Sequence, residues 1–341
     1  MLGATGFTGG LVCGQARQLG IPLRLVGRRR EALEEVAAEG EEIRVADAKD
    51  EAALRRAFEG AFAVASLAGP FLEVGPAPVA AAVGAGAHYL DTSGEQAFAR
   101  LVFERFGAEA ERRGVVVLTS FGVDYVPGDL GARMAAEGIE PLDEIVAAYA
   151  VSGASTSRGT RRTIGHIMGQ PLVAWSGGRL VRSSFGATTR RVRFPDGEAT
   201  AVEWGGTEPL TVPRHSQVAS VRSYVRGPGA AAKLAPLARI VSPLVKLAGA
   251  VGRHGPSEER RRKTRFAVVV EGRGRAGGRR ATLAGVDPYG LTALIIARGA
   301  QALRDGEQRG AGVLAPAEAF DVYSFVVRLS PLLVLETLER L

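Results

Sequence analysis

From residue 1 to about 130, short apolar runs alternate with segments whose apolar positions recur at helical spacing. The runs at 22–27 (PLRLVG), 43–46 (IRVA), 62–68 (FAVASLA), 88–92 (HYLDT) and 115–120 (VVVLTS) predict strands. Helices are predicted between them, over 31–39, 50–59, about 76–86 and 95–113; in the second, Leu54 and Phe58 fall at i, i+4 on one face. Strands and helices alternating at this spacing predict a doubly wound α/β domain, a parallel sheet covered on both faces.

The pattern changes beyond about 130. Period-2 stretches run through 179–225 (RLVRSSF, TRRVRF, TAVEW, VASVRSYV), and 266–272 and 280–286 add two more. They predict a second α+β domain with a mixed or antiparallel sheet, with helices over about 160–174 and 291–304. The segment 317–341 is apolar and helix-like. The expected organisation is a nucleotide-binding domain over 1–130, a substrate and dimerisation domain over 131–310, and a segment 311–341 packing back on the first domain.

Candidate chemistry begins at the N-terminus, where GATGFTG puts Gly3, Gly6 and Gly9 at the GxxGxxG spacing of a dinucleotide-binding turn. Such a turn follows a buried parallel strand, yet only Met1 and Leu2 precede it. The expectation is that the first strand is largely missing because the start is assigned several residues late; the alternative is a sheet built without its middle. The loop leads straight into an apolar-periodic helix (Leu11, Val12, Leu19), whose first N–H groups would face a pyrophosphate. The next strand ends in Arg28 and Arg29 rather than an acidic residue, which favours a 2′-phosphate and hence NADP. The competing reading of Arg28 is a solvated charge. Asp47 closes the following strand, where a carboxylate meets the adenine.

Residues 67–75 (LAGPFLEVG) follow the strand 62–68 at the carboxyl edge expected for the nicotinamide. Residues 90–95 present Asp91, Thr92, Ser93 and Glu95 to the same edge, with helix capping as the rival role for Asp91 and Ser93. Residues 121–130 add Asp124, Tyr125 and Asp129, the last also readable as a helix N-cap.

Composition narrows the function classes. The 341 residues carry 43 basic and 36 acidic side chains, a formal charge of +7, but only four of the basic residues are lysine. The arginine excess matches the Ala and Gly richness and reads as compositional bias. The densest run, RRRKTR at 260–265, has no interleaved aromatic, so nucleic acid is not an expected partner. The single cysteine, Cys13, rules out a disulfide framework within the chain, and no charged-then-apolar leader or spanning apolar run is present, so a cytoplasmic location is expected. No metal site is expected, since the four histidines are scattered. None of the six tyrosines has a lysine four residues on, which excludes the short-chain dehydrogenase mechanism.

GATGFTG, AGPF, AHYLDTSGE, FGVDYVPGDLGA, SRGT at 157–160 and DPYGLTA at 287–293 together resemble the saccharopine dehydrogenase-like family. That family includes bacterial trans-acting enoyl reductases, and the resemblance runs from residue 3 to about 320. It implies an NADP-binding Rossmann domain and a second α/β domain closing over substrate. It maps Gly3, Thr5, Gly6, Phe7 and Thr8 to the phosphate loop, Arg28 to the 2′-phosphate, and Ala68, Gly69 and Pro70 to the nicotinamide side. Tyr125 departs from the family pattern, which usually has Ser there.

The expected function is therefore an NADP-dependent reductase, with Tyr125, Asp124, Glu95 and Tyr289 as proton donors or substrate clamps. Ser157 and His166 are further candidates, although His166, on an apolar helix face, reads more readily as a packed core residue. In the segment 228–253, Arg239, Lys246 and Arg253 recur at seven-residue spacing beside an apolar face, which suits an acyl chain or a peripheral membrane contact. An enoyl or keto acyl-type substrate is favoured on that ground. A saccharopine-type amino-acid reductase would instead use Arg158, Arg161 and Arg162, and a non-catalytic NADP-binding regulator is the remaining alternative.

Overall fold

The computed structural model describes residues 1–153, 170–227 and 255–341. Ser157, Arg158, Arg161, Arg162 and His166, and the segment 228–253 with Arg239, Lys246 and Arg253, lie outside the described residues. In chain order the strands are β1 (Arg24–Gly27), β2 (Glu42–Val45), β3 (Ala63–Ser66), β4 (His88–Asp91), β5 (Val116–Leu118) and β6 (Leu142–Ser152). Then come β7 (Leu172–Ser176), β8 (Arg179–Ser183), β9 (Thr189–Phe194), β10 (Gly197–Glu203) and β11 (Ser220–Arg226). The last are β12 (Arg265–Gly274), β13 (Gly277–Val286), β14 (Gly312–Val313) and β15 (Leu333–Arg340).

The chain forms two compact units. The first, residues 1–93, 97–123 and 289–314, holds parallel strands in the order β2–β1 and β3–β4–β5–β14. The expected missing strand is present as a stub. Leu2 forms parallel bridges to Val26 on one side and Ser66 on the other. Its N–H donates to the Ala65 carbonyl at 2.9 Å, and its own carbonyl accepts from Leu67 at 2.9 Å. Beyond the stub, a cavity of about 370 Å³ is lined by Met1, Val12, Leu23, Phe58, Val64 and Ile296.

The helices Pro76–Gly84 and Gln96–Arg112 bury Val79, Val83, Phe98 and Val102 against Val64, Tyr89 and Val117, giving the fully apolar strand faces that a covered parallel sheet needs. The helix Pro288–Arg304 lies where 291–304 is predicted, but from Tyr289 onward it belongs to this unit, not to the second domain. Its Gly299 touches the sheet so closely that a Cβ would collide with Phe121. Chain order hides this return, because a helix adds to a sheet face from any point in the sequence.

The second unit, residues 94–96, 124–288 and 315–341, is built on a mixed sheet ordered β15–β13–β12–β6–β11–β10–β9, with β7 pairing β11 and β8. Among the described strands, β6 and β11 are the one pair that runs parallel within it. The helix Val126–Ala136 crosses one face, where a Cβ on Gly131 would press on Val270 and Leu283. On the other face Val192 and Phe194 of β9 pack over Val146, Ala148 and Val269, so the β9–β10 hairpin folds across the sheet.

Two expectations are corrected here. Residues 315–341 join the second unit instead of returning to the first: after the helix Val322–Arg328, β15 pairs with the edge of β13. The stretch LVLETLER alternates apolar and charged positions, a strand signal masked by its leucine content. The helix expected over 160–174 does not extend to its predicted end, because Leu172–Ser176 is a strand fixed by β8 and β11.

Candidate functional site

In the first unit the glycine loop forms as its spacing predicts. Gly3 adopts φ +88°, a region L side chains avoid, and turns the chain out of the Leu2 bridge. A Cβ on Gly9 would lie well inside van der Waals contact with the Gly3 carbonyl oxygen, so only glycine lets the helix Phe7–Gln18 start this close to the turn. No side chain caps that helix at Gly6, and Thr5 and Gly6 are exposed. The helix thus offers its positive N-terminal end and uncapped N–H groups to an anion. This is the cradle a dinucleotide pyrophosphate requires.

The other predicted cofactor residues stand at the carboxyl ends of the same strands. Arg28 follows β1, is exposed, and has no ion-pair partner among the described residues. Asp47 follows β2, exposed, with Oδ1 accepting from the Lys49 N–H at 2.9 Å. Ala68, Gly69 and Pro70 follow β3, and a Cβ on Gly3 would come within 3.2 Å of the Ala68 nitrogen, so this loop abuts the glycine turn. Tyr289 meets Phe7 edge-on at 5.2 Å between ring centroids, which places it beside the phosphate loop.

Asp91 is not presented to solvent as expected. It is fully buried, and its Oδ1 accepts from the Ser93 and Ser120 N–H groups, both at 2.8 Å. The carboxylate ties the exits of β4 and β5 together and holds Ser120 at φ +56°. Burial raises its pKa to about 6.

The second unit collects Glu95, Asp124 and Tyr125. The Tyr125 hydroxyl, buried, donates to the Gly94 carbonyl at 2.8 Å and lies 3.3 Å from that of Gly205, and its ring stacks on Trp204. Burial, then the negative charges of Asp124, Glu208 and Glu95, push this phenol well above its ordinary value. A hydroxyl so committed positions its neighbours and is a poor proton donor. Asp124 keeps contact with solvent, yet the protein crowded round it raises its carboxyl to about 6.

At the bottom of this cluster lies a residue that sequence reasoning missed. Glu208 has no exposed surface; its Oε1 accepts from the Tyr149 hydroxyl, and its Oε2 from Ser223 Oγ at 2.5 Å. Cβ atoms on Gly128 and Gly206 would collide with its two carboxyl oxygens. Burial without a cation partner raises Glu208 to about 7. Tyr149 also meets the Trp204 ring edge-on at 5.8 Å. The only local signal was an acidic residue two positions after a glycine pair in WGGTEP.

Asp129, read as a possible N-cap, lies inside its helix. Its Oδ1 sits 3.0 Å from His215 Nε2 and its Oδ2 accepts from the Ala317 N–H at 2.8 Å. Burial pushes its pKa up, but His215, Thr211 and that N–H together hold it below the ordinary value. It serves as a structural clasp within the second unit. Among the described residues no cluster of His, Cys, Asp or Glu is able to hold a metal ion, and no helix is long and apolar enough to cross a membrane.

Residues 3–155 match a family model described as NAD(P)H-binding. A lipid droplet localized protein of Caenorhabditis elegans is 32% identical over 145 residues, covering 38% of this chain and 34% of its own. A trans-acting enoyl reductase of Mycobacterium ulcerans is 29% identical over 211 residues, covering 58% of this chain and 50% of its own. A human saccharopine dehydrogenase-like oxidoreductase is 28% identical over 151 residues, 38% of this chain and 35% of its own. The chain thus spans between a third and a half of the length of these relatives. Among solved structures, the saccharopine dehydrogenase (L-Glu forming) of Saccharomyces cerevisiae superposes with a TM-score of 0.65 at 15% identity, over 100% of this chain and 98% of that one. The likeness is one of fold.

Proposed function

We propose that this chain, which is similar to saccharopine dehydrogenase-like oxidoreductases and carries a domain matching an NAD(P)H-binding family model, is an NADP-dependent reductase of a neutral acyl-type substrate with an enoyl or keto group. The nicotinamide cofactor supplies the hydride when bound. In this reading the uncapped N-terminus of Phe7–Gln18, with Gly3, Thr5, Gly6 and Thr8, holds the pyrophosphate. Arg28 takes the 2′-phosphate as a charge-assisted fork, Asp47 the adenine, and Ala68–Gly69–Pro70 the nicotinamide side.

Asp124 and Glu95 hold or relay the proton that completes the reduction, Tyr289 clamps beside the loop, and Tyr125 positions them. Glu208, raised to about 7 by burial, carries less negative charge in the cluster near pH 7 than an ordinary carboxylate would. Supply of a proton by a group whose pKa lies near the working pH is the efficient arrangement.

The observation that carries the acyl-type reading is the sign of the charges around Tyr125 among the described residues: Asp124 and Glu95 are negative, and Glu208 adds a partial negative charge near pH 7. A dicarboxylate would be repelled there, whereas a thioester or ketone oxygen is not. The likeness to the M. ulcerans enoyl reductase and the C. elegans lipid droplet protein supports a lipid-like substrate.

The test is NADPH oxidation with long-chain enoyl and keto thioesters against 2-oxo dicarboxylates. Thioesters are expected to be the better oxidants. A preference for dicarboxylates overturns the substrate class, and tight NADPH binding with no turnover on either set makes the chain a regulator.

A further inference from the structure

In the second unit a cleft of about 500 Å³ opens between the β9–β10 hairpin and the outer face of β12–β13. Its lining holds five guanidinium groups, Arg190, Arg191, Arg193, Arg273 and Arg280, and only two carboxylates, Glu198 and Glu271. Three separate strands supply these arginines. None of these residues takes part in the cofactor or substrate reading.

The arginines divide into two sets. Arg280 is fixed below by Glu271 at 2.7 Å and by Glu339 at 2.8 Å, and Arg190 by Glu144 at 2.6 Å. With side chains 13% and 29% exposed, these two are held in place by their own acids. The outer set is not. Arg193 has no ion-pair partner among the described residues. Arg273 reaches only Glu271, at 3.3 Å, and that carboxylate is already taken by Arg280. Arg191 shares the exposed Glu198 at 2.9 Å.

An exposed pair of this kind stabilises little and gives way readily to a more highly charged acceptor. Planar guanidinium forks match phosphate oxygens in two parallel bonds, so the unfilled bonding capacity of Arg193, Arg273 and Arg191 calls for phosphate-type oxygens.

We propose that this cleft is a second anion site, taking a compact phosphorylated ligand through Arg193, Arg273 and Arg191 on a platform held rigid by Arg280–Glu271 and Arg190–Glu144. The shared chemistry is a phosphate group, either of a free metabolite or of a lipid headgroup.

Calorimetry with inorganic pyrophosphate tests it on protein saturated with NADP⁺, so that the glycine loop is occupied. One equivalent is expected to bind, and Arg193→Ala/Arg273→Ala to weaken binding at least ~100-fold, since charge-assisted hydrogen bonds contribute ~1.5–3 kcal/mol each. Both side chains are exposed, so the variant should fold and keep wild-type NADP⁺ affinity. In parallel, flotation with phosphatidic acid vesicles separates the sources. Vesicle binding lost in the double variant, without pyrophosphate binding, assigns the phosphate to a lipid. Neither probe binding, or both binding equally to the double variant, overturns the proposal.

Discussion

The two units put their chemistry in different parts of the polypeptide. In the first, the candidate site is made of backbone: a turn at positive φ, a helix start with no side-chain cap, and a strand exit against which Gly3 packs. In the second it is made of side chains drawn from four distant stretches, Glu95, Asp124–Tyr125, Tyr149, and Trp204 with Glu208 and Ser223. Backbone chemistry tolerates almost any side chain but no change of shape. Side-chain chemistry tolerates changes of shape but not of protonation.

The sharpest break of this contrast is Gly9→Val. The added atoms meet the Gly3 carbonyl, and about 3 kcal/mol of overpacking is relieved only by moving the loop. NADPH binding, followed by fluorescence titration, is expected to weaken at least ~100-fold, and an unchanged affinity would show that the loop does not hold the cofactor. Next comes the one side chain on which cofactor choice rests. Arg28→Ala should weaken NADPH by ~10–100-fold, from the loss of a charge-assisted bond of ~1.5–3 kcal/mol, and leave NADH nearly untouched. Equal losses for the two cofactors would remove Arg28 from 2′-phosphate recognition.

In the second unit Glu208→Ala leaves Tyr149 and Ser223 without their acceptor and is expected to cost about 1–3 kcal/mol in denaturant unfolding. Glu208→Gln keeps the shape and should cost much less. The pH dependence follows from the raised pKa of about 7. Between the unfolded value of ~4.3 and 7 the folded state binds the extra proton, so this group's stabilising contribution is full below that window. It is lost as pH rises through 7 and is flat above. A Gln variant that retains the wild-type slope over this range would assign the titration elsewhere. The smallest effect is Tyr125→Phe, expected at about 1 kcal/mol, because the ring stays on Trp204 and only the bonds to the Gly94 and Gly205 carbonyls go. A loss several times larger in the same unfolding measurement would mean that the hydroxyl organises the whole cluster.

The same contrast explains what was legible in the sequence. GATGFTG, Arg28, Asp47 and AGPF fall in order along the chain, each just after a strand, so the period of the strands places them. Glu208 had no such guide, since what makes it unusual is the closing of Tyr149, Ser223, Gly128 and Gly206 around it, and none of these is near it in the chain except Gly206. Tyr125 was visible as a residue type, but its commitment to two carbonyls was not. The helix Pro288–Arg304 was visible, though not the unit it joins. Its apolar face says that it is buried and carries no information about which sheet buries it.

Leu2 joins β1–β2 to β3–β4–β5–β14 through one residue's bridges. Cooperative opening follows the number of backbone links that must break together, and here that number is small. In hydrogen exchange the amides of Leu25 and Val26 should behave as part of a separate subglobal block, opening at lower free energy than those of Tyr89 and Val117. The first unit is then one sheet in outline and two exchange domains in energy, hinged one residue before the glycine turn.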